Sequence, residues 1–241
     1  MWKKERFRMN MIKESIKSVI VVNAPLKQVW DALTMPEHLN RWYSKKAEID
    51  FRIGGKGYMN HGWGAVSEGV FTEIHEMKRF VLQSIDGDFK TITSLEKVEN
   101  GIQVSIEYKA SFITEMNQAA KENMLFGTNQ FLENLKSVYE TGIDIRSKLW
   151  KAWIGIVHTT NDEDRGTRVL QVKEGSAAAA SGIKPNDVIV ELDGVKIVGY
   201  ESFERALNKK AVNSIAILTI ERKGNVKFQV NCPVVAYPVP Y

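Results

Sequence analysis

The sequence predicts an α+β protein built from two domains. The chain has 241 residues, which is long enough for two domains of ordinary size. Its first half reads as a strand, two helices, a run of antiparallel strands and a long helix, whereas the second half carries strand signals at short spacing and ends in a hairpin. We expect an N-terminal tail at 1–13, domains at 14–142 and 150–233, a linker at 143–149 and a loosely held, proline-rich tail at 234–241.

The composition is that of a globular protein with a hydrophobic core. Apolar residues make up 44% and charged residues 26%, and the formal net charge is +4 with a pI near 9.0. No basic run with interleaved aromatic residues follows the first ten positions, so nucleic-acid binding is not expected. Cys232 is the single cysteine, and neither a signal-peptide pattern nor a transmembrane segment is found. We therefore expect a cytoplasmic protein.

Local patterns define the elements of the first half. A β-branched strand at 18–23 precedes Pro25, and a second proline, Pro36, follows eleven residues later. Proline suits the first turn of a helix, so each of the two prolines indicates a helix start. Strands are predicted at 48–53, 55–60, 66–74, 79–85, 91–98 and 103–110. A long helix at 115–139 follows, and it can bury its apolar face most economically across the concave face of the curved sheet.

A linked series of short motifs runs from Val21 to Trp42 and continues at 52–58 and 69–74. The series resembles the SRPBCC superfamily (START-like, helix-grip) and, within it, the group related to activators of the heat-shock ATPase chaperone (Aha-type). The resemblance implies a helix-grip fold over roughly 14–141. One position departs from the family pattern, because Gly-Thr stands at 127–128 where the family often has Gly-Trp.

The resemblance also implies a ligand cavity between the sheet and the long helix. The candidate lining residues are Trp42, Tyr58, Trp63, Phe71, Met124 and Phe126. An ordinary aromatic core is the alternative interpretation, because aromatic side chains fill cores by default.

The most specific motif of the chain lies at 175–194, where GSAAAASGIKPNDVIVELDG is found. It resembles the central signature of a bacterial-type PDZ domain, and 151–156 resembles the carboxylate-binding loop of such domains. The resemblance implies a partly open β-barrel with two helices that binds a polypeptide C-terminus by strand addition. The implied peptide-binding residues are Trp153, Ile154, Gly155, Ile156, Phe203 and Leu207. The alternative is that the two isoleucines only belong to a core strand.

No motif indicates catalysis. No two of the four histidines have metal-ligand spacing on a shared element, and the Walker, dinucleotide-binding and Gly-x-Ser-x-Gly spacings are not met. The sequence therefore predicts no metal, no cofactor and no catalytic residues.

We expect a non-catalytic binding or adaptor protein. In this interpretation the PDZ groove binds a polypeptide C-terminus, and the first domain binds a hydrophobic small molecule or a protein. Two alternatives stay open. One is an enzyme that acts on a small hydrophobic substrate in the helix-grip cavity, with the PDZ domain as its locator. The other is a chaperone-assisting protein, which the resemblance alone implies.

Overall fold

The computed structural model describes residues 15–62, 65–110, 118–162, 165–223 and 226–238. In the first half these residues form seven strands and three helices. They are β1 (Ser15–Val22), α1 (Leu26–Thr34), α2 (Pro36–Trp42), β2 (Lys46–Ile49), β3 (Lys56–Asn60), β4 (Val66–His75), β5 (Arg79–Gln83), β6 (Phe89–Val98), β7 (Gly101–Ala110) and α3 (Gln118–Thr141).

The strands of the first domain form one antiparallel sheet. Its order is β1-β7-β6-β5-β4-β3-β2, so that β2 to β7 form a meander and β1 adds to the side of β7. The predicted strands are found within a few residues of their expected ends. The expected start of the long helix, at 115, lies outside the described residues.

The C-terminal half of α3 is fixed against β1. Leu132 and Leu135 are fully buried in the first hydrophobic core. At the same end of the helix, the Lys136 Nζ donates a hydrogen bond of 2.7 Å to the Val21 carbonyl. The Asn23 backbone N–H donates one of 2.7 Å to the Glu140 carboxylate. The C-terminal end of α3 is therefore held against the end of β1.

In the second half, the described residues form the remaining eight strands and two α-helices. They are β8 (Ala152–Trp153), β9 (Ile156–Thr160), β10 (Thr167–Val172), α4 (Ala177–Ala180), β11 (Val188–Leu192), β12 (Val195–Lys196), α5 (Tyr200–Asn208), β13 (Ile215–Arg222), β14 (Val226–Pro233) and β15 (Val235–Ala236). The main sheet has the order β14-β13-β11-β10-β9, β12 pairs with β11, and β8 pairs with β15. The sheet is open, and β9 and β14 are its two edges.

One sequence-based expectation is wrong for residues 234–236. The tail from residue 234 was expected to be loosely held, but Val234 is fully buried in the second core. Its backbone N–H donates to the Ser214 carbonyl at 2.8 Å, and β15 pairs with β8. Proline removes a backbone donor only at its own position, so the residues between the prolines remain free to pair.

Candidate functional site

A cavity of about 370 Å³ lies between the sheet of the first domain and α3. Its walls are mainly apolar side chains from the sheet, α1, α2 and α3. The lining residues are Leu33, Leu39, Trp42, Tyr43, Ile49, Met59, Val66, Ser67, Glu68, Phe71, Phe80, Leu82, Ser84, Phe89, Thr91, Thr93, Ile106, Tyr108 and Met124. A volume of this size suits a small organic molecule.

Three of the six residues predicted for this cavity line it. Trp42 is fully buried, and its indole N–H donates to the Ala32 carbonyl at 2.8 Å, which fixes the ring against the cavity. Phe71 is buried and meets the Phe51 ring edge-on, with ring centroids 5.0 Å apart. Met124 reaches the cavity from α3.

Two of the other predicted residues lie elsewhere. Tyr58 is half-buried on β3 but is not among the lining residues, whereas its neighbour Met59 is, because adjacent strand residues point to opposite faces. Phe126 is buried at the boundary between the domains, where its ring lies 6.0 Å from the ring of Tyr200. The predicted Trp63 lies outside the described residues.

A polar cluster interrupts the apolar wall of the cavity. The His61 Nδ1 faces the Tyr43 carbonyl at 3.4 Å, and its Nε2 lies 2.9 Å from the Ser67 Oγ. A carbonyl can only accept, so Nδ1 carries the proton and Nε2 accepts from the serine hydroxyl. Burial lowers the pKa of His61 below 6.5 and raises the pKa of Tyr43 far above 10.0. Both side chains are therefore uncharged at neutral pH.

A second pocket of about 240 Å³ adjoins the cavity and shares Tyr43, Tyr108 and Met124 with it. Thr128, which stands where the family often has tryptophan, lines this second pocket. Its hydroxyl donates to the Met124 carbonyl at 2.8 Å and lies 3.1 Å from the Tyr108 hydroxyl. A side chain at Gly127 would begin only 3.4 Å from the Trp150 ring, so a tryptophan that follows the linker covers this turn of α3.

The loop before β9 makes a tight turn at Gly155, within the segment that was predicted to bind a carboxylate. Gly155 has φ of +93°, and a Cβ there would lie 2.2 Å from the Cβ of Ser176, so only glycine fits. The Lys173 Nζ lies 5.1 Å from the centre of the Trp153 ring, which places a positive charge beside the loop. Ile154 is fully buried in the second core, whereas Ile156 is half-buried and lines the groove between β9 and α5.

Helix α5 presents two different faces. Phe203 and Leu207, which were predicted to form the groove wall, are fully buried in the core of the second domain. Tyr200 and Glu204 line the groove instead, together with His158 of β9. The His158 ring stacks on the ring of Tyr200 at 4.4 Å, and its Nε2 lies 2.9 Å from the Glu204 carboxylate.

Tyr200, Glu204 and His158 were not predicted as groove residues. The sequence did contain one indication of their role. Tyr200 and Glu204 are four residues apart, so they lie on one face of α5, in a second stripe beside the apolar stripe of the same helix. Which stripe faces β9 depends on the packing of the helix, which the spacing alone does not give. The polar stripe faces β9, and the apolar stripe faces the core.

The groove itself is narrow. Its free volume is about 90 Å³, and residues from outside the groove contribute to its lining. These are Ala119 and Asn123 of α3, and Tyr237 near the end of the chain. The first domain therefore covers part of the second domain's groove.

Within the described part of the chain, no group of three or more His, Cys, Asp or Glu side chains is placed to hold a metal ion. Among the helices of these same residues, none is long and apolar enough to cross a membrane.

Comparisons with known proteins agree with the two folds. Residues 23–140 match the family model described as "Activator of Hsp90 ATPase homolog 1-like protein" (AHSA1), and residues 152–231 match the model described as "PDZ domain". Among curated proteins, 56 residues are 39% identical to a putative zinc metalloprotease, Atu1380, from Agrobacterium fabrum. That match covers 23% of this chain and 15% of the metalloprotease.

Solved structures similar to this chain include protein SSP2350 from Staphylococcus saprophyticus, at 17% identity and a TM-score of 0.46. The match covers 55% of this chain and 96% of that one. The Aha1 dimer from Colwellia psychrerythraea is 19% identical with a TM-score of 0.46, over 54% of this chain and 98% of that one. The two family matches agree with the two folds: the chain carries an AHSA1-like domain at 23–140 followed by a PDZ domain at 152–231.

Proposed function

We propose that this chain is a non-catalytic binding protein with two sites. The first domain takes an uncharged, apolar small molecule into the cavity between its sheet and α3, and the PDZ domain takes a polypeptide C-terminus at the edge of β9. The observation that carries the proposal is the cavity of about 370 Å³ with its mainly apolar walls.

The side chains around the cavity favour an uncharged ligand. Among its described lining residues, Glu68 is the one acidic or basic side chain, and it is exposed. Burial keeps Tyr43 and Tyr108 protonated by raising the pKa of each. A charged ligand would lose its hydration without gaining a buried counter-charge, whereas a neutral ligand with a hydroxyl group could donate a hydrogen bond to the Ser67 Oγ.

Thermal unfolding with an uncharged apolar dye, N-phenyl-1-naphthylamine, tests the cavity. A ligand that binds only the folded state stabilises it by about 2.7 kcal/mol at one hundred times its Kd, so the first domain should melt several degrees higher. Thr91 lines the cavity, so Thr91→Trp places a large ring in the cavity and should abolish the rise in melting temperature. Lys90→Trp, on the exposed face of the same strand, should retain it. Equal shifts in both variants would exclude this cavity as the binding site.

The loop geometry at Gly155 supports the peptide site. Its backbone can turn around a carboxylate, and β9 is an edge strand that can accept another strand. Peptides with a free carboxylate and an apolar last residue should bind at least about tenfold more tightly than their amidated forms, because hydrogen bonds to a charged group contribute ~1.5–3 kcal/mol each. Equal binding of acids and amides would exclude C-terminal capture.

A second candidate function is an enzyme that acts on a small hydrophobic substrate in the same cavity. It is favoured by the Ser67 hydroxyl, which lies on the lining 2.9 Å from a neutral His61 nitrogen that can accept its proton. Hydrolysis of 4-nitrophenyl butyrate that is lost in Ser67→Ala and kept in Ser84→Ala would support this candidate. Turnover that is unchanged by Ser67→Ala would exclude Ser67 as a nucleophile.

A further inference from the structure

The outer edge of β9 is the place where a bound peptide would add as a strand. On its inner side β9 pairs with β10, and just beyond the strand the Asn161 N–H donates to the Gly166 carbonyl at 3.1 Å on that same side. Backbone N–H groups alternate in direction along a strand. Those of Ile156, His158 and Thr160 therefore point to the outer edge, toward a peptide.

One of these three groups already has an acceptor from the first domain. The Glu122 carboxylate of α3 accepts a hydrogen bond of 3.0 Å from the Thr160 backbone N–H and one of 2.8 Å from the Thr159 hydroxyl. Both bonds end on the same oxygen, Oε2. Burial alone would raise the pKa of Glu122, but the hydrogen bonds from Thr160 and Thr159 lower it below 4.5. The carboxylate is thus ionised at neutral pH, and its hydrogen bonds are charge-assisted.

Further contacts hold α3 along the other wall of the groove. The Phe126 ring meets the Tyr200 ring at 6.0 Å and an interplanar angle of 70°. The Arg205 guanidinium of α5 pairs with the Glu133 carboxylate at 2.7 Å. It also lies 5.8 Å from the centre of the Phe126 ring. Residues on three turns of α3 therefore contact β9 or α5, the two elements between which a peptide would lie.

The space that remains cannot hold a peptide strand. About 90 Å³ is left between β9, α5 and α3, well below the 300 Å³ or more that ligand pockets commonly offer. A strand added to β9 would also need the Thr160 N–H, which Glu122 occupies.

We propose that α3 is an internal occupant of the PDZ groove, and that a polypeptide C-terminus binds only when the N-terminal half of α3 leaves β9. This inference rests on the proposed peptide-binding function and adds its regulation. The apparent affinity for a peptide is then the intrinsic affinity multiplied by the open fraction of the protein. Loss of the Glu122 hydrogen bonds should raise that fraction.

The test compares full-length wild type with Glu122→Ala and with Glu140→Ala. The control also removes a hydrogen-bonded carboxylate from α3, but at the end that contacts Asn23 and Lys136. The probe is a mixture of fluorescein-labelled decapeptides with free carboxylates that end in Val, Leu, Ile or Phe, and binding is measured by fluorescence anisotropy. Glu122→Ala should bind at least about tenfold more tightly than wild type, and Glu140→Ala should bind as wild type does. Amide exchange at Thr160 should be faster in Glu122→Ala alone.

The outcomes separate the inference from the function on which it rests. Equal peptide affinity in wild type and Glu122→Ala would overturn occlusion by α3 and leave peptide capture standing. An equal gain in Glu140→Ala would also overturn it, because the effect would then come from a weakened first domain. Absence of binding by all three proteins, with the PDZ core still protected from exchange, would overturn both.

Discussion

The interiors of the two domains are filled to different degrees. In the second domain, Phe203, Leu218 and Ile220 have no exposed surface and belong to one packed cluster. In the first domain, the sheet and α3 enclose a cavity of about 370 Å³ beside a core of comparable composition. Apolar residues on a helix and a sheet therefore do not by themselves decide whether the space between them is filled.

The composition of α3 accounts for the difference. Its C-terminal half carries large buried side chains, among them Phe131, Leu132 and Leu135, which bring the helix close to the sheet. In its N-terminal half, Met124 reaches the cavity, whereas Glu122 and Phe126 contact the PDZ domain instead of the sheet. One helix thus has a packed end and an end that leaves room on the sheet side.

Core truncation gives the largest expected effect. Phe203→Ala should cost about 3–5 kcal/mol of unfolding free energy, since it opens a hole in a filled core. Met124→Ala should cost less than about 2 kcal/mol, because that side chain already borders free space. Urea dependence of amide exchange, followed separately in each domain, measures both values. Similar losses would contradict the difference in filling.

Part of the arrangement around the cavity could be predicted from residue spacing. Met124 and Phe126 are two positions apart, which is about 200° around a helix, so they cannot both face the sheet. The first lines the cavity and the second contacts the PDZ domain. The same argument separates Tyr58 from Met59 on β3. Periodicity was sufficient to show that only one residue of each pair can face the cavity. It could not show which of the two does so.

The contact between the domains could not be predicted. Glu122 has the spacing of an ordinary exposed helix residue, and its hydrogen bonds to Thr159 and Thr160 depend on the docking of two separate cores. The loop at Gly155, by contrast, was recognisable, because its turn needs glycine at a fixed place next to apolar residues. The conformation of a turn is determined by residues that are close in the sequence, whereas the docking of the two domains depends on surfaces that are distant in the chain.

Glycine substitution sharpens the comparison with a smaller effect. Gly155 and Gly54 both have positive φ, but a Cβ at Gly155 would lie 2.2 Å from the Cβ of Ser176, whereas nothing lies within 4 Å at Gly54. Gly54→Ala should cost about 1 kcal/mol from backbone strain. Gly155→Ala adds a clash and should cost more than about 2 kcal/mol in the PDZ domain. Equal costs in thermal or urea unfolding would show that the loop can relax around the new methyl group.

The smallest effect concerns pH and should be confined to the first domain. His61 is buried at the edge of the cavity, and burial lowers its pKa in the folded state below 6.5. As pH falls below about 6.5, the unfolded chain takes up a proton at this position while the folded protein does not, so the first domain loses stability. The loss is complete once the pH lies below the folded-state pKa, and full stability is present at higher pH. Melting temperatures from pH 8 to pH 5.5 should therefore fall more steeply in wild type than in His61→Gln, which has no group to titrate there. Identical slopes in the two proteins would mean that His61 takes up its proton equally well in both states, and that the wall of the cavity is open to water.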